Sequence, residues 1–371
     1  MIKRIKKKLL QFAYSEVLSG RLASRLLALK RIFSDVGDGF PDVTASETSG
    51  VDDEIYVYQN VLVFSPYGLS FDRNGRVIQH NLGGNDFKIL RRTIRELGIL
   101  RFFWIYLRHI HDVLPVSIQE ACHLVPRHGY RPNAPNYCHW LLEDLPKLSR
   151  YSRVMTSVNV LVNSAPTTFQ EASLKYLGVV EKIFKLNPQF DLVDSLYFCR
   201  MFSAGSKDGE TDRQGRLWVR DKLLAEISPD PIIHRSVYVV RSDGVRRTLE
   251  NDAEVAQFFK NRDFELVNPD SLAFIEQVKL FSQTYSLAAV HGAALANMIF
   301  MKVGKVYELS HVHISDRIFF RILAQDIGLT YVCSCSNGAT EITIQGNDLV
   351  SFNADLSDIE CGIDGTNIRY E

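Results

Sequence analysis

A chain of 371 residues, 46% hydrophobic and 23% charged, is too long for one ordinary domain and suits two of roughly 150 residues each. Its 22 glycines and 12 prolines are ordinary levels, which exclude a fibrous repeat or a disordered chain. The formal net charge of zero argues against a general nucleic-acid binder, and no nucleic-acid partner is expected.

The charge is unevenly placed. Met1 to Lys8 carry five Lys or Arg, and Arg21, Arg25, Lys30 and Arg31 follow among apolar residues. Leu9, Leu10, Phe12, Ala13 and Val17 recur at helical spacing, so residues 1–35 read as a basic amphipathic segment. Its apolar stretch is broken by Gln11 and Glu16 and is too short to span a bilayer, so the expectation is a peripheral contact with anionic lipid through residues 1–31. The alternative is a basic face that solvates the N-terminus.

From Glu54 to Ile78, β-branched and aromatic residues alternate around Pro66, Gly68 and Asn74-Gly75, the pattern of short hairpin strands. Leu90 to His111 reads as one helix, with Gly98 an unfavourable residue in its middle. Within that helix the run from Leu97 to Leu107 reads first as core and second as a patch for a membrane or partner. Asn136 to Arg150 opens polar and runs into a helix, Val158 to Val162 is a buried strand, and Phe169 to Leu177 is a helix. Such alternation predicts an α/β fold with parallel strands and crossover helices.

A boundary falls at Ser228 to His234, where two prolines interrupt the pattern. Beyond it, strands at 236–240, 264–267, 286–290 and 305–309 alternate with helices at 250–259, 274–284 and from 295, the spacing of a doubly wound nucleotide-binding domain. The expected division is a segment over 1–35, α/β domains over 36–228 and 229–345, and an acidic tail over 346–371. The six cysteines have no framework spacing, and Cys333-x-Cys335 is too tight for a zinc site. No Asn-x-Ser/Thr acceptor occurs, and together these features predict a reducing, cytoplasmic home.

Four segments carry candidate chemistry. In SLAAVHGAALAN (286–297) a buried strand turns at His291-Gly292 into the next element. Small residues there let phosphate reach backbone N–H groups, and His291 can donate to a phosphate oxygen. The alternative is a plain turn with a hydrogen-bonded His. In YVVRSDGVRRTLEN (238–251), Arg241 ends a strand and Arg246 and Arg247 precede a helix. Guanidinium groups match phosphate geometry and keep their charge when buried. Asp52-Asp53 lies in a polar linker and no Asp-x-Asp follows a strand, so arginines rather than a metal are the expected charge sink, and no metal or other cofactor is predicted. Glu308 ends the strand of KVYELS, where a carboxylate suits a ribose; a structural ion pair is the alternative. In NYCHWLLEDLPKL (136–148), Asn136, His139 and Glu143 fall at i, i+3 and i+7 on one helical face. Asn136 can cap the helix, and His139 or Asp144 can serve as the acid–base group.

Together these segments resemble glycosyltransferase family 61, over about Asn136 to Ser310. NYCHWLLEDLPKL is similar to the family's Asn-Tyr-x-His-Trp-Leu-x-Asp-x-Leu-Pro element. YVVRSDGVRRTLENDAEV is similar to its strand–Arg–Arg–helix element. EQVKLFSQTYSLAAVHGAALANMIFM is similar to its Glu-Gln helix followed by His-Gly-Ala-Gly-Leu-Thr-Asn, with Ala294 for the second glycine and Ala296 for the threonine. The resemblance implies a GT-B-like architecture, with two Rossmann-like domains facing across a cleft and the donor held in the C-terminal one. It implies inverting, metal-independent transfer from a nucleotide-sugar co-substrate, a UDP-sugar in the first instance, to a glycan or glycolipid acceptor of the cell surface. The capsular and lipopolysaccharide type of acceptor is the one expected, with the enzyme at the inner face of the membrane. Donor-binding residues would be Arg241, Arg246, Arg247, His291, Gly292, Asn297 and Glu308; Asn136 and Glu143 would lie on the acceptor side, and His139 or Asp144 would be catalytic. The substitutions at Ala294 and Ala296 favour one alternative, a non-catalytic sugar-nucleotide or glycan-binding subunit of a polysaccharide assembly complex. A hydrolase is disfavoured without Gly-x-Ser-x-Gly, and a dinucleotide oxidoreductase without Gly-x-Gly-x-x-Gly after a strand.

Overall fold

A computed structural model of the chain describes residues 55–65, 67–75, 77–78, 86–126, 136–154, 158–199, 212–227, 232–241, 247–311, 319–336, 339–344 and 347–364. The basic segment expected over 1–35 and the Asp52-Asp53 pair lie outside them. The alternating stretch after Glu54 forms β1 (Ile55–Phe64) and β2 (Leu69–Phe71), paired antiparallel. They join β3 (Ile118–His123), β4 (Asn159–Val162), β5 (Ile183–Lys185) and β6 (Phe190–Cys199) in a six-stranded sheet of order β2-β1-β6-β3-β4-β5. Strands β3 to β6 are mutually parallel, and β1 closes the sheet antiparallel to β6. Numbered within the parallel set, the order β5-β4-β3-β6 reads 3-2-1-4, that of a Rossmann half.

The predicted helix over 90–111 is two helices, Asp86–Leu97 and Ile99–Ile110. Gly98 separates them with φ 82°, a conformation that favours glycine. Phe102, Ile105 and Tyr106 of the second helix pack on Phe64, Phe71 and Leu69. The run from Leu97 to Leu107 is therefore core on one face. Its other face is exposed, because a helix resting on a sheet buries only one stripe.

The second half is a five-stranded, wholly parallel sheet of β7 (Arg235–Val239), β9 (Glu265–Val267), β10 (Thr284–Val290), β11 (Lys305–His311) and β12 (Thr330–Ser336). Its order, β9-β7-β10-β11-β12, reads 2-1-3-4-5, the flavodoxin-like version of a doubly wound sheet. Apolar runs such as SLAAV are buried along their length because helices cover both faces of a parallel sheet. The α/β class expected from the sequence is thus present.

The last part of the chain departs from the tail expected over 346–371. Strands β13 (Ala339–Ile344) and β14 (Asn347–Phe352) form a hairpin that pairs with β8 (Arg247–Leu249), and the helix Leu356–Asp364 follows. The expected boundary at 345/346 cuts that hairpin. Asn251 fixes the return by bonding both the N–H and the carbonyl of Ala354, each at 2.9 Å. Long-range pairing of this kind leaves no local period to read.

The two sheets share one hydrophobic core. It runs from Val160 and Val162 through Trp140, Leu145 and Leu148 to Phe281, Phe300, Val239 and Ala289. The helices Thr168–Tyr176, Arg213–Ala225 and Phe274–Ser282 and the 3-10 segment Ala293–Phe300 fill the space between them. Trp140 is fully buried there and donates to the Ser173 hydroxyl at 3.0 Å, as a buried indole N–H must find a partner.

Entry into β11 depends on Gly304, at φ 129°, where an added Cβ would stand 1.9 Å from the Tyr285 carbonyl oxygen. Gly304→Ala is expected to lower stability by about 2–3 kcal/mol, since both strain and a backbone clash apply. Gly98→Ala, which meets only open space, should lose less. Urea denaturation midpoints compare the two; equal losses would refute the clash.

Candidate functional site

In the order 2-1-3-4-5 the chain reverses direction between β7 and β10, and a ligand crevice opens at the carboxyl ends of those strands. Arg241 follows β7, and His291 and Gly292 follow β10. The three meet: a Cβ on Gly292 would lie 3.6 Å from Arg241 Nη2 and 3.7 Å from its Cζ. Gly292 itself is extended, with φ 176° and ψ 177°. Its smallness leaves the guanidinium close to the turn. Burial lowers the Arg241 pKa, while Asp270, Tyr238 and Asp252 act in the opposite direction. An arginine keeps its charge through such a shift.

His291 is buried, and its backbone N–H continues the sheet by donating to the Leu309 carbonyl at 2.8 Å. Its Nδ1 bonds Glu308 Oε1, one strand away on β11. The other carboxylate oxygen accepts from the Tyr331 hydroxyl on β12 at 2.6 Å. Burial and the adjacent Glu308 raise the Tyr331 pKa, so the phenol stays a donor. Glu308 is 2% exposed with both oxygens engaged. The structure places the Glu308 carboxylate between His291 and Tyr331, the protein-bonded arrangement that was the alternative to a ribose contact.

The first-domain motif starts at the carboxyl side of β3, in the crossover to β4. Asn136 caps it as expected, accepting from the N–H of Cys138 at 2.9 Å and of His139 at 3.4 Å. The helix is not uniform. After Tyr137–His139 it widens into a π-helical turn over Trp140–Asp144, with Leu145 N–H reaching back to the Trp140 carbonyl at 2.9 Å, and then resumes over Lys147–Tyr151. The i, i+3, i+7 face expected from a regular helix gives way to a direct pair, His139 Nδ1 to Glu143 Oε2 at 3.0 Å. Pro146 has no N–H for the Leu142 carbonyl, and the buried Arg216 donates to that oxygen instead, Nε at 3.2 Å. The charge of Arg216 is also answered by Asp326, Asp212 and Glu143, against the lowering effect of burial.

Asp144 is placed differently from His139. It is 1% exposed and bonded to the buried Lys147 at 2.7 Å, whereas the His139 side chain is 31% exposed. Asn297, expected to touch the donor, is wholly buried: its Oδ1 accepts from the Tyr137 hydroxyl at 2.6 Å and its Nδ2 donates to Gln277 at 3.3 Å. These two bonds tie the first motif to the third. Ala296 is buried in the shared core, so its departure from the resembled motif concerns packing. Arg246 lies outside the described residues, and Arg247 opens β8. Among the described residues, no group of three or more His, Cys, Asp and Glu could hold a metal ion.

Sequence reasoning missed Tyr137, Gln277, Arg216 and Tyr331 as partners. Tyr137 and Gln277 stand inside the motifs, so their positions could have flagged them; Arg216 and Tyr331 carry no local signal.

The fold and this crevice define an α/β class of protein with a candidate ligand site at a strand-order switch point. The family model described as Glycosyltransferase 61 matches residues 137–307. That match supports assignment to glycosyltransferase family 61 and, with it, glycosyltransferase activity in general. No curated protein matches it significantly.

The Tyr137–Asn297 bond gives an expected outcome. Tyr137→Phe should leave Asn297 Oδ1 unsatisfied in the interior and cost about 1–3 kcal/mol. Thermal or urea unfolding measures the loss; unchanged stability would show that the bond does not hold the two motifs together.

Proposed function

We propose that the protein is an inverting, metal-independent glycosyltransferase that moves a sugar from a nucleotide-sugar, a UDP-sugar in the first instance, to a cell-surface polysaccharide or lipopolysaccharide-type acceptor. The observation that carries the reading is the Arg241 guanidinium beside Gly292 and the turn of His291, at the switch point of a 2-1-3-4-5 sheet. A diphosphate there meets a fixed cation and a histidine, which favours the charge that builds on the leaving group.

In this reading the acceptor hydroxyl attacks the anomeric carbon from the face opposite the diphosphate. The bond from that carbon to the phosphate oxygen breaks, and its electron pair leaves with the nucleotide. Arg241 and His291 offset the resulting charge, with Arg246 or Arg247 added on the strength of the family resemblance. Glu308 and Tyr331 orient His291. The acceptor proton goes to Nε2 of His139, whose Nδ1 faces Glu143. Asp144 is the less suited base because its carboxylate is engaged by Lys147. Asn136 sets the helix start that presents His139.

Two halves with 3-2-1-4 and 2-1-3-4-5 strand orders support a GT-B-like arrangement with acceptor and donor sides. The six free cysteines are in keeping with a reducing, cytoplasmic site of action. Among the described residues no helix is long and apolar enough to cross a membrane.

Arg241→Ala should weaken UDP binding roughly 30- to 100-fold, the loss of a charge-assisted phosphate contact, with unfolding unchanged. Isothermal titration reads this, and undiminished affinity would remove Arg241 from the donor site. His139→Ala should lower turnover by about 10²-fold or more while donor affinity holds; near-normal kcat would move the base elsewhere. Activity should survive EDTA, and a strict divalent-cation requirement would overturn the arginine scheme.

A further inference from the structure

The helix Ile99–Ile110 presents two apolar faces. Phe102, Ile105, Tyr106 and His109 are buried against the first sheet. On the opposite side Ile99, Leu100, Trp104 and Leu107 stand 54%, 68%, 56% and 42% exposed. Four large apolar side chains along one short helix form a contiguous patch, whereas exposed apolar residues scattered singly are ordinary.

The rim of this patch is basic. Arg101, Trp104 and Arg108 follow at i, i+3 and i+7, so they line one edge of the exposed face. Arg108 lies over the Trp104 ring at 4.6 Å, and Arg95 is exposed at the end of the preceding helix. The neighbouring carboxylates are turned to protein partners: Glu96 accepts from the Tyr67 hydroxyl at 2.5 Å, and Asp112 from Asn60 at 2.7 Å. At ~1.5 Å per residue a helix of this length reaches about 18 Å, far short of a bilayer's hydrocarbon core.

We infer that this face docks on an anionic lipid bilayer, with Leu100, Trp104 and Leu107 entering the interface and Arg101 and Arg108 meeting phosphate headgroups. A tryptophan beside arginines suits that boundary, because indole is apolar with one polar edge and guanidinium reaches outward on a long stem. The apolar ridge supplies burial and the positive rim selects the lipid charge. The inference is independent of the donor-site reading.

The test uses the full chain and vesicles. Wild-type protein is expected to float with phosphatidylglycerol-rich vesicles and not with pure phosphatidylcholine, and added salt should weaken binding. Leu100→Ser with Trp104→Ser should lower the partition coefficient roughly tenfold or more, with unfolding unchanged. Should that variant fail to fold, bromolipid quenching of the wild-type indole signal, lost in Trp104→Phe, carries the test. Wild-type-like flotation of the double variant would assign binding to other residues, such as the basic 1–31, and equal quenching in Trp104→Phe would place another indole at the lipid; either would overturn the inference. So would absence of vesicle binding, including a case in which the patch instead drives association of two copies of the chain.

Discussion

A buried amide holds the candidate site in register. Asn297 takes a hydrogen from Tyr137 and gives one to Gln277, so the helix start after β3 is fixed against the segment after β10. In the interior neither group has water as a substitute partner, so any shift between the motifs breaks a bond that nothing replaces. Burial raises the Tyr137 pKa, which keeps the phenol protonated and fixes which amide atom faces it. Asn136, His139 and Glu143 inherit their placement from that contact.

The buried charges are answered in pairs, and the pairs aim two histidines. Glu308 holds His291 from one side and takes the Tyr331 hydroxyl on the other. Glu143 faces His139, with the Arg216 charge nearby. An unpaired carboxylate would be costly in such surroundings, so each pairing also fixes the orientation of its ring. Asp144 shows the contrast: next in sequence to Glu143, it is consumed by Lys147 and helps to hold the helix.

The strand orders explain where these groups lie in each half. Each sheet changes direction once in its parallel set, at β3/β6 and at β7/β10, and the motifs follow β3, β7 and β10. Helices of both halves then pack into one apolar core, which limits how far the halves can move without exposing it. The exposed ridge of Ile99–Ile110 stands apart from that core, on the side of the first sheet's hairpin edge.

Much of this was legible in the chain itself. Alternation marked β1 and β2, Asn136 marked its helix cap, and apolar runs marked the parallel strands, because each depends on neighbours a few residues away. The π-helical turn was not legible, since its widening follows from Pro146 and from Arg216, 74 residues beyond Leu142. Nor were the roles of Glu308 and Asn297, whose residue types suit a ligand as well as a structural bond. By itself the sequence determined the elements, their order and the family motifs. The tertiary structure decided which polar groups meet: Tyr137 and Asn297 are 160 residues apart, Glu308 and Tyr331 are 23, and no periodicity encodes a contact at such separations.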